Sequence, residues 1–243
     1  MENFKVDICF IGNAIVDILS KVSFKTLNKL EIIKGSMQLV DEEASNEILK
    51  YIINPSIISG GSAANTAVGF KSFGGKCSFI GQIGNDKFGD LFLKDLNNSG
   101  VSFQDIDYLP PEKTSKCIVL VTPDAERSMI TYLGASNKFN INSFDEQLII
   151  NSNMIYIEGY LFDQPEAKEA IFHCCNLAKS HNKKIALSLS DLFCVERHRI
   201  DFLNLITHEK LLFLSCGTKR NLLMAPIPSK VVANAIFNKN AFP

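Results

Sequence analysis

The sequence predicts an α/β protein: an open, mostly parallel sheet covered by helices, with a smaller sheet inserted into it. Three observations carry this. Apolar runs of strand length alternate with helix-length segments over two stretches of chain, as βαβ units require. Gly, Asn and Asp clusters separate them. Between the stretches lie extended segments with no helix between near neighbours. With 46% apolar residues, the 243-residue chain has ample material for one large core.

The elements follow in order. Val6 to Ile11 is a short apolar run ending at Gly12, the pattern of a buried strand. Ile15 to Val22 and Ser36 to Val40 read as extended. Asp41 to Tyr51 opens with acids and carries Ile48 and Leu49 on one face, which predicts a helix. Ser62 to Phe73 is a small-residue helix stopped by Gly74 and Gly75. Cys77 to Ile80 is a strand. Asn85 or Asp86 caps a helix running to about Asn98, closed by Gly100. Lys116 to Val121 and Arg127 to Leu133 are strands around a polar turn at Pro123-Asp124. With the two earlier extended segments they are expected to form a small antiparallel sheet. Alternation then resumes: Met154 to Ile157 a strand, Pro165 to Ser180 a helix with Pro in its first turn, Lys184 to Leu189 a strand, Glu196 to Ile206 a helix, Leu211 to Leu214 a strand. From Leu211 onward the charged residues are Lys219, Arg220, Lys230 and Lys239, with three prolines and no periodicity. That predicts an atypical basic tail over 216–243.

Charge and cysteine content narrow the function. The formal net charge is −1 and the pI about 6.4, so the basic footprint of a nucleic-acid binder is missing. No run approaches the length of a membrane span, and Glu2, Lys5 and Asp7 do not make a signal peptide. We expect a soluble cytoplasmic protein. Seven cysteines with no C-x-x-C pair argue for buried thiols over a disulfide framework. His173, Cys174, Cys175 and His181 lack the spacing of a metal site.

Three segments can carry chemistry. Gly12-Asn13-Ala14-Ile15-Val16-Asp17 follows the first strand, which puts Asn13 and Asp17 near the carboxyl edge of a parallel sheet, where ligands bind. An amide and a carboxylate together suit vicinal hydroxyls. Gly60-Gly61-Ser62-Ala63-Ala64-Asn65 opens a helix, so close backbone approach and the helix N-terminus meet, with Asn65 on the first turn. The third, Phe79 to Asp90, reads as a strand-to-helix turn in which Asp86 caps the helix. None completes the G-x-G-x-x-G fingerprint, which argues against an NAD-binding domain.

Gly60, Gly61, Ala63, Asn65, Ala67, Gly74 and Gly84 stand at the spacing of the first signature of the PfkB carbohydrate kinases, the family of ribokinase and adenosine kinase. The resemblance covers roughly residues 5 to 210. The segments Gly12 to Asp17 and Glu126-Arg127-Ser128 through Ala135 look most like bacterial adenosine-kinase-type members. It implies a ribokinase-like three-layer sandwich over residues 1–215 with a small β-sheet lid, from segments about 13–40 and 112–133. It implies ATP-dependent phosphorylation of a primary hydroxyl of a sugar or nucleoside, with Mg²⁺. By matching positions it implies Asn13, Asp17, Gly60, Gly61, Ser62, Asn65, Arg127 and Glu158 as substrate-binding residues, Arg127 through its segment near the site and Glu158 through a sugar-contacting position of ribokinase-type members. Without the resemblance, Glu158 and Arg127 read as a surface ion pair. A homodimer through the lid is a further implication.

The chain departs from the family in one respect. Active members carry a D-T-x-G-A-G-D segment, whose Asp is the general base and whose glycine-rich turn is the anion hole, and an upstream N-x-x-E. No D-T-x-G-A-G-D segment stands in this sequence, and no N-x-x-E stands in its second half. Its only Gly-Asp pair is Gly89-Asp90, and no acid follows Glu209. We therefore expect a truncated or frame-shifted family member, incomplete in its ATP-binding part and impaired in transfer, with no catalytic residue to assign. The alternative is a non-catalytic fragment that binds a sugar or nucleoside.

Overall fold

The structure, a computed structural model, describes residues 5–103, 111–208, 211–215, 217–218 and 221–222. In chain order its elements are β1 (Val6–Ile11), β2 (Ile15–Lys21), α1 (Phe24–Lys29), β3 (Met37–Leu39), α2 (Glu42–Leu49), β4 (Ser56–Gly60), α3 (Ser62–Ser72), β5 (Cys77–Ile80), α4 (Lys87–Asn98) and β6 (Ser102–Phe103). They continue with β7 (Ser115–Val121), β8 (Arg127–Tyr132), α5 (Glu146–Ile150), β9 (Ser152–Glu158), α6 (Pro165–Ser180), β10 (Lys184–Ser188), α7 (Leu192–His208), β11 (Leu211–Ser215), β12 (Gly217–Thr218) and β13 (Asn221–Leu222).

Six strands make one sheet in the order β11-β10-β9-β1-β5-β6, and every neighbouring pair is parallel. Such a sheet is buried on both faces, which is why its strands read as continuous apolar runs. Alternation along β1 divides two cores. Cys9 and Ile11 join the core built with α5, α6 and α7, through Ile149, Ile171 and Phe202. Phe10 joins the other, built with α3 and α4, through Ala63, Ala67, Phe92 and Leu96. This second core continues into the smaller sheet through Val16, Ile18, Ile118, Leu120 and Ile130. The helix–sheet–helix layering agrees with the α/β sandwich expected from the sequence.

The smaller sheet corrects an expectation. It has five strands, in the order β3-β8-β7-β2-β4. It is mixed rather than antiparallel: β2–β4 and β7–β8 are antiparallel, β2–β7 and β3–β8 parallel. The parallel pairs arise because β7 reaches β2 only after the chain has left for the main sheet and come back in the same direction. Strand β4 escapes the periodicity test because Ile57 and Ile58 are consecutive, and both stay exposed on a sheet edge.

Local signals set most boundaries. Asp41 caps α2 by accepting from Ala44 N at 2.8 Å, and Asp86 caps α4 by accepting from Phe88 N and Gly89 N. Helix α7 starts four residues earlier than its periodicity suggests, because Asp191 accepts from Cys194 N at 2.8 Å. Its backbone leaves helical geometry at His198 (φ −117°, ψ 23°). The six described cysteines are all buried, and desolvation pushes the Cys9 and Cys194 thiols up to about 12 and Cys117 up to about 11. Among the described residues, no helix is long and apolar enough to cross a membrane. The basic segment expected over 216–243 lies outside the described residues except for β12 and β13, which pair antiparallel.

Candidate substrate site

The chain passes between the two sheets four times, and the candidate residues gather at the first two passages. The first joins β1 to β2 through Gly12, Asn13 and Ala14. The second joins β4 to α3 at Gly60 and Gly61. Both lie at the carboxyl edge of the main sheet, where a parallel sheet receives ligands. Strand β2 pairs with β4 so that Ile15 faces Gly60 and Asp17 faces Ile58. The two passages are therefore held side by side.

The glycines are required by close approach. A Cβ on Gly60 would run into the Asp17 carboxylate. Gly61 has φ +90°, and a Cβ there would sit 2.5 Å from the Asn13 carbonyl oxygen. A Cβ on Gly12 would meet the Ala63 methyl at 2.5 Å and Glu158 Oε2 at 2.8 Å. The backbone at both passages is thus packed against the acidic groups that the sequence singles out.

Glu158 ends β9, beside β1, and is 1% exposed. Its Oε2 accepts from Asn13 N at 2.7 Å. Its Oε1 accepts from the Ser62 hydroxyl and, at 3.3 Å, from Ala63 N. Burial pushes this carboxyl above the usual carboxylate range, against the pull of those donors. Asp17 is half-buried, and desolvation raises it as well. Burial thus raises both carboxyls at this junction.

Asp17 stands on a defined face of the smaller sheet. Residues paired across strands share a face, so Cys117 and Thr131 flank Asp17 on one side and Ile58 on the other, with Leu39 beyond Thr131. The next row on that face is Leu19, Val119, Met129 and Met37. The face is apolar, and Met37, Leu39 and Ile58 are exposed on it. A cavity of about 310 Å³ opens along it, lined by Leu39, Thr131, Asn137 and Gln164 among others. A second cavity, of about 430 Å³ between the ends of α6 and α7, includes none of these residues.

The structure brings together Asn13, Asp17, Gly60, Gly61, Ser62 and Glu158. Asn65 is exposed on the first turn of α3, its N–H bonded to the Gly61 carbonyl. The Ser62 hydroxyl is turned onto Glu158. Arg127 shares the face of Asp17 but lies at the far end of the β7–β8 hairpin, opposite Val121. That is four residues along β8 from Thr131, or about 13 Å at strand rise. Glu158 is buried and Arg127 exposed, so the surface ion pair read from the sequence alone does not form. Sequence reasoning missed Cys117, Thr131 and Leu39 as neighbours of Asp17. Only strand register reveals them, and no local signal carries it. Among the described residues, no three His, Cys, Asp or Glu side chains converge as a metal site.

The chain as a whole has known relatives. The family model for pfkB family carbohydrate kinases matches residues 29–214. The chain is 28% identical to a 5-dehydro-2-deoxygluconokinase of Clostridium beijerinckii over 73% of this chain and 47% of the relative. It is 28% identical to an adenosine kinase of Saccharomyces cerevisiae, over 75% and 56% respectively. It thus spans about half the length of these curated relatives. Among solved structures, adenosine kinase from Sinorhizobium meliloti superposes with TM-score 0.79 at 36% identity, covering 86% of this chain and 64% of that one. With the family match extending over most of the chain, from within α1 to β11, this protein belongs to the pfkB family of carbohydrate kinases.

Proposed function

We propose that this chain forms the substrate half of an ATP-dependent kinase that phosphorylates the primary hydroxyl of a nucleoside, adenosine-like in class. The observation that carries the reading is the surface around Asp17: a carboxylate at the sheet junction, standing on an apolar face. In this reading Asp17 accepts from vicinal sugar hydroxyls, and the Asn13 and Asn65 side chains and the Gly60-Gly61 backbone complete the polar side. The base lies on Leu39 in the cavity beside Thr131, with Met37 and Met129 in the next row of the same sheet face. The smaller sheet then serves as the lid.

A sugar acid is the second reading, favoured by the gluconokinase relative. On the face that carries Asp17, the basic side chains among the described residues are Lys21 and Arg127, both four residues further along their strands. A carboxylate ligand beside Asp17 is served by neither, and Lys138, which lines the cavity, is paired with Glu112 at 3.1 Å. The sequence holds no D-T-x-G-A-G-D segment, so no step of phosphoryl transfer is assigned to the described residues.

Calorimetric titration with adenosine, ribose and 5-dehydro-2-deoxygluconate tests the reading. Saturable adenosine binding is expected, with ribose weaker by at least about tenfold, since the base supplies the apolar contact. Binding of the sugar acid with none of adenosine would overturn it.

A further inference from the structure

We propose that Glu158 is a positioning residue: it ties the smaller sheet to the main sheet at two of its four passages and does not touch substrate. Both carboxylate oxygens accept from donors of the protein. Asn13 N occupies Oε2, and the Ser62 hydroxyl and Ala63 N occupy Oε1. An ionised carboxylate offers about four acceptor sites, and at 1% exposure none is turned to solvent. Its donors belong to both passages. Asn13 leads into β2, and Ser62 and Ala63 follow directly from β4 and Gly61.

The other two passages have a tie of their own. Between β6 and β7, Thr114 N donates to Asp86 Oδ2 at 3.0 Å, and Gly84 N donates to Thr114 Oγ1 at 3.0 Å. Between β8 and α5, Ala135 N donates to the Lys113 carbonyl at 2.9 Å, and Ser115 Oγ donates to Ser136 Oγ at 2.6 Å. The smaller sheet is thus fastened at two places, linked by a long contact in which Ser136 Oγ donates to the Ala14 carbonyl at 3.5 Å, and only the first place holds Glu158. A carboxylate in this place keeps Asn13 and Gly61 in register with the main sheet. The polar half of the site then depends on it without contact.

Hydrogen exchange on the unliganded protein tests this, because it requires no ligand and is independent of the nucleoside reading. Glu158→Gln replaces an acceptor with an amide donor facing Ser62 and Ala63. Exchange in peptides covering 12–18 and 58–66 is expected to rise by about tenfold or more, with 84–90 and 113–116 unchanged. Ser62→Ala, which removes one donor and keeps the carboxylate, should give a smaller rise confined to the same peptides. A paired adenosine titration adds the functional arm, where affinity should fall by about tenfold in Glu158→Gln. Equal acceleration at both fastenings in both variants, or no change at 12–18 and 58–66, overturns the proposal. So does loss of binding with unaltered exchange, which would place Glu158 against the ligand. Absence of adenosine binding to the unmutated protein would sink the nucleoside reading alone.

Discussion

At Asp17, function and stability pull in opposite directions. Desolvation raises this carboxyl above its ordinary value, so the folded state holds the proton more tightly than the unfolded chain. The linked stability is fully present below the unfolded value and is lost as pH rises through the folded one. At neutral pH the ionised group is therefore a liability that only a ligand repays. Asp17→Asn should melt at a higher temperature than the parent at pH 7, with the gap closing under acid conditions. The same variant should lose adenosine affinity by roughly tenfold to a hundredfold, the worth of one or two hydrogen bonds to a charged acceptor. In the parent, affinity should decline with falling pH earlier than an ordinary aspartate would allow. Melting and titration across a pH series check all three. A melting temperature that falls in Asp17→Asn would mean the carboxylate is paired in the ligand-free protein.

Two adjacent glycines in the β4–α3 turn separate folding from binding at the level of an element. A methyl on Gly61 meets backbone at a positive φ, with nothing able to move aside. Gly61→Ala should cost on the order of 1–3 kcal/mol by denaturant unfolding. A methyl on Gly60 meets only the end of the Asp17 side chain, which can rotate away. Gly60→Ala should leave stability nearly unchanged and weaken binding about as much as Asp17→Asn. Equal stability losses in the two variants would refute this division of labour. These elements also show what a sequence discloses. The cap at Asp86, the Pro165 start of α6 and the bounds of β5 depend on neighbours within a few residues, and all were readable. The paired glycines marked a close approach, yet not to what. That Asp17 occupies the space above Gly60, that Cys117 flanks Asp17 and that β2 runs parallel to β7 are contacts spanning 40 to 100 residues of chain. They are fixed by packing, not by local pattern. Glu158 shows the same limit: its strand was legible, and its donors from two distant turns were not.

For the whole molecule, the site's position at the junction of the two sheets ties ligand binding to global stability. The second core runs without interruption from Phe10 in the main sheet to Ile118 in the smaller one. A ligand held by residues of both sheets should therefore stabilise them as one unit. Adenosine at about a hundred times its dissociation constant contributes roughly 2.7 kcal/mol, so a single melting transition should move up by about 5–10 °C. A biphasic melt in which only one transition moves would show that the sheets unfold separately. Phosphoryl transfer should not accompany this response. The general base and anion hole of the family sit in a segment this sequence does not contain, and a lost base alone lowers a rate by about 10² to 10⁴. Purified residues 1–243 given ATP, Mg²⁺ and adenosine should show the thermal shift with no ADP above the no-substrate background. ADP release that requires adenosine and that Asp17→Asn reduces without abolishing would mean that a group other than Asp17 accepts the hydroxyl proton. The search for that group would then begin at the carboxyl edge of β9 and β10, where Tyr160 donates to Asp191 at 3.0 Å and Ser190 holds a positive φ.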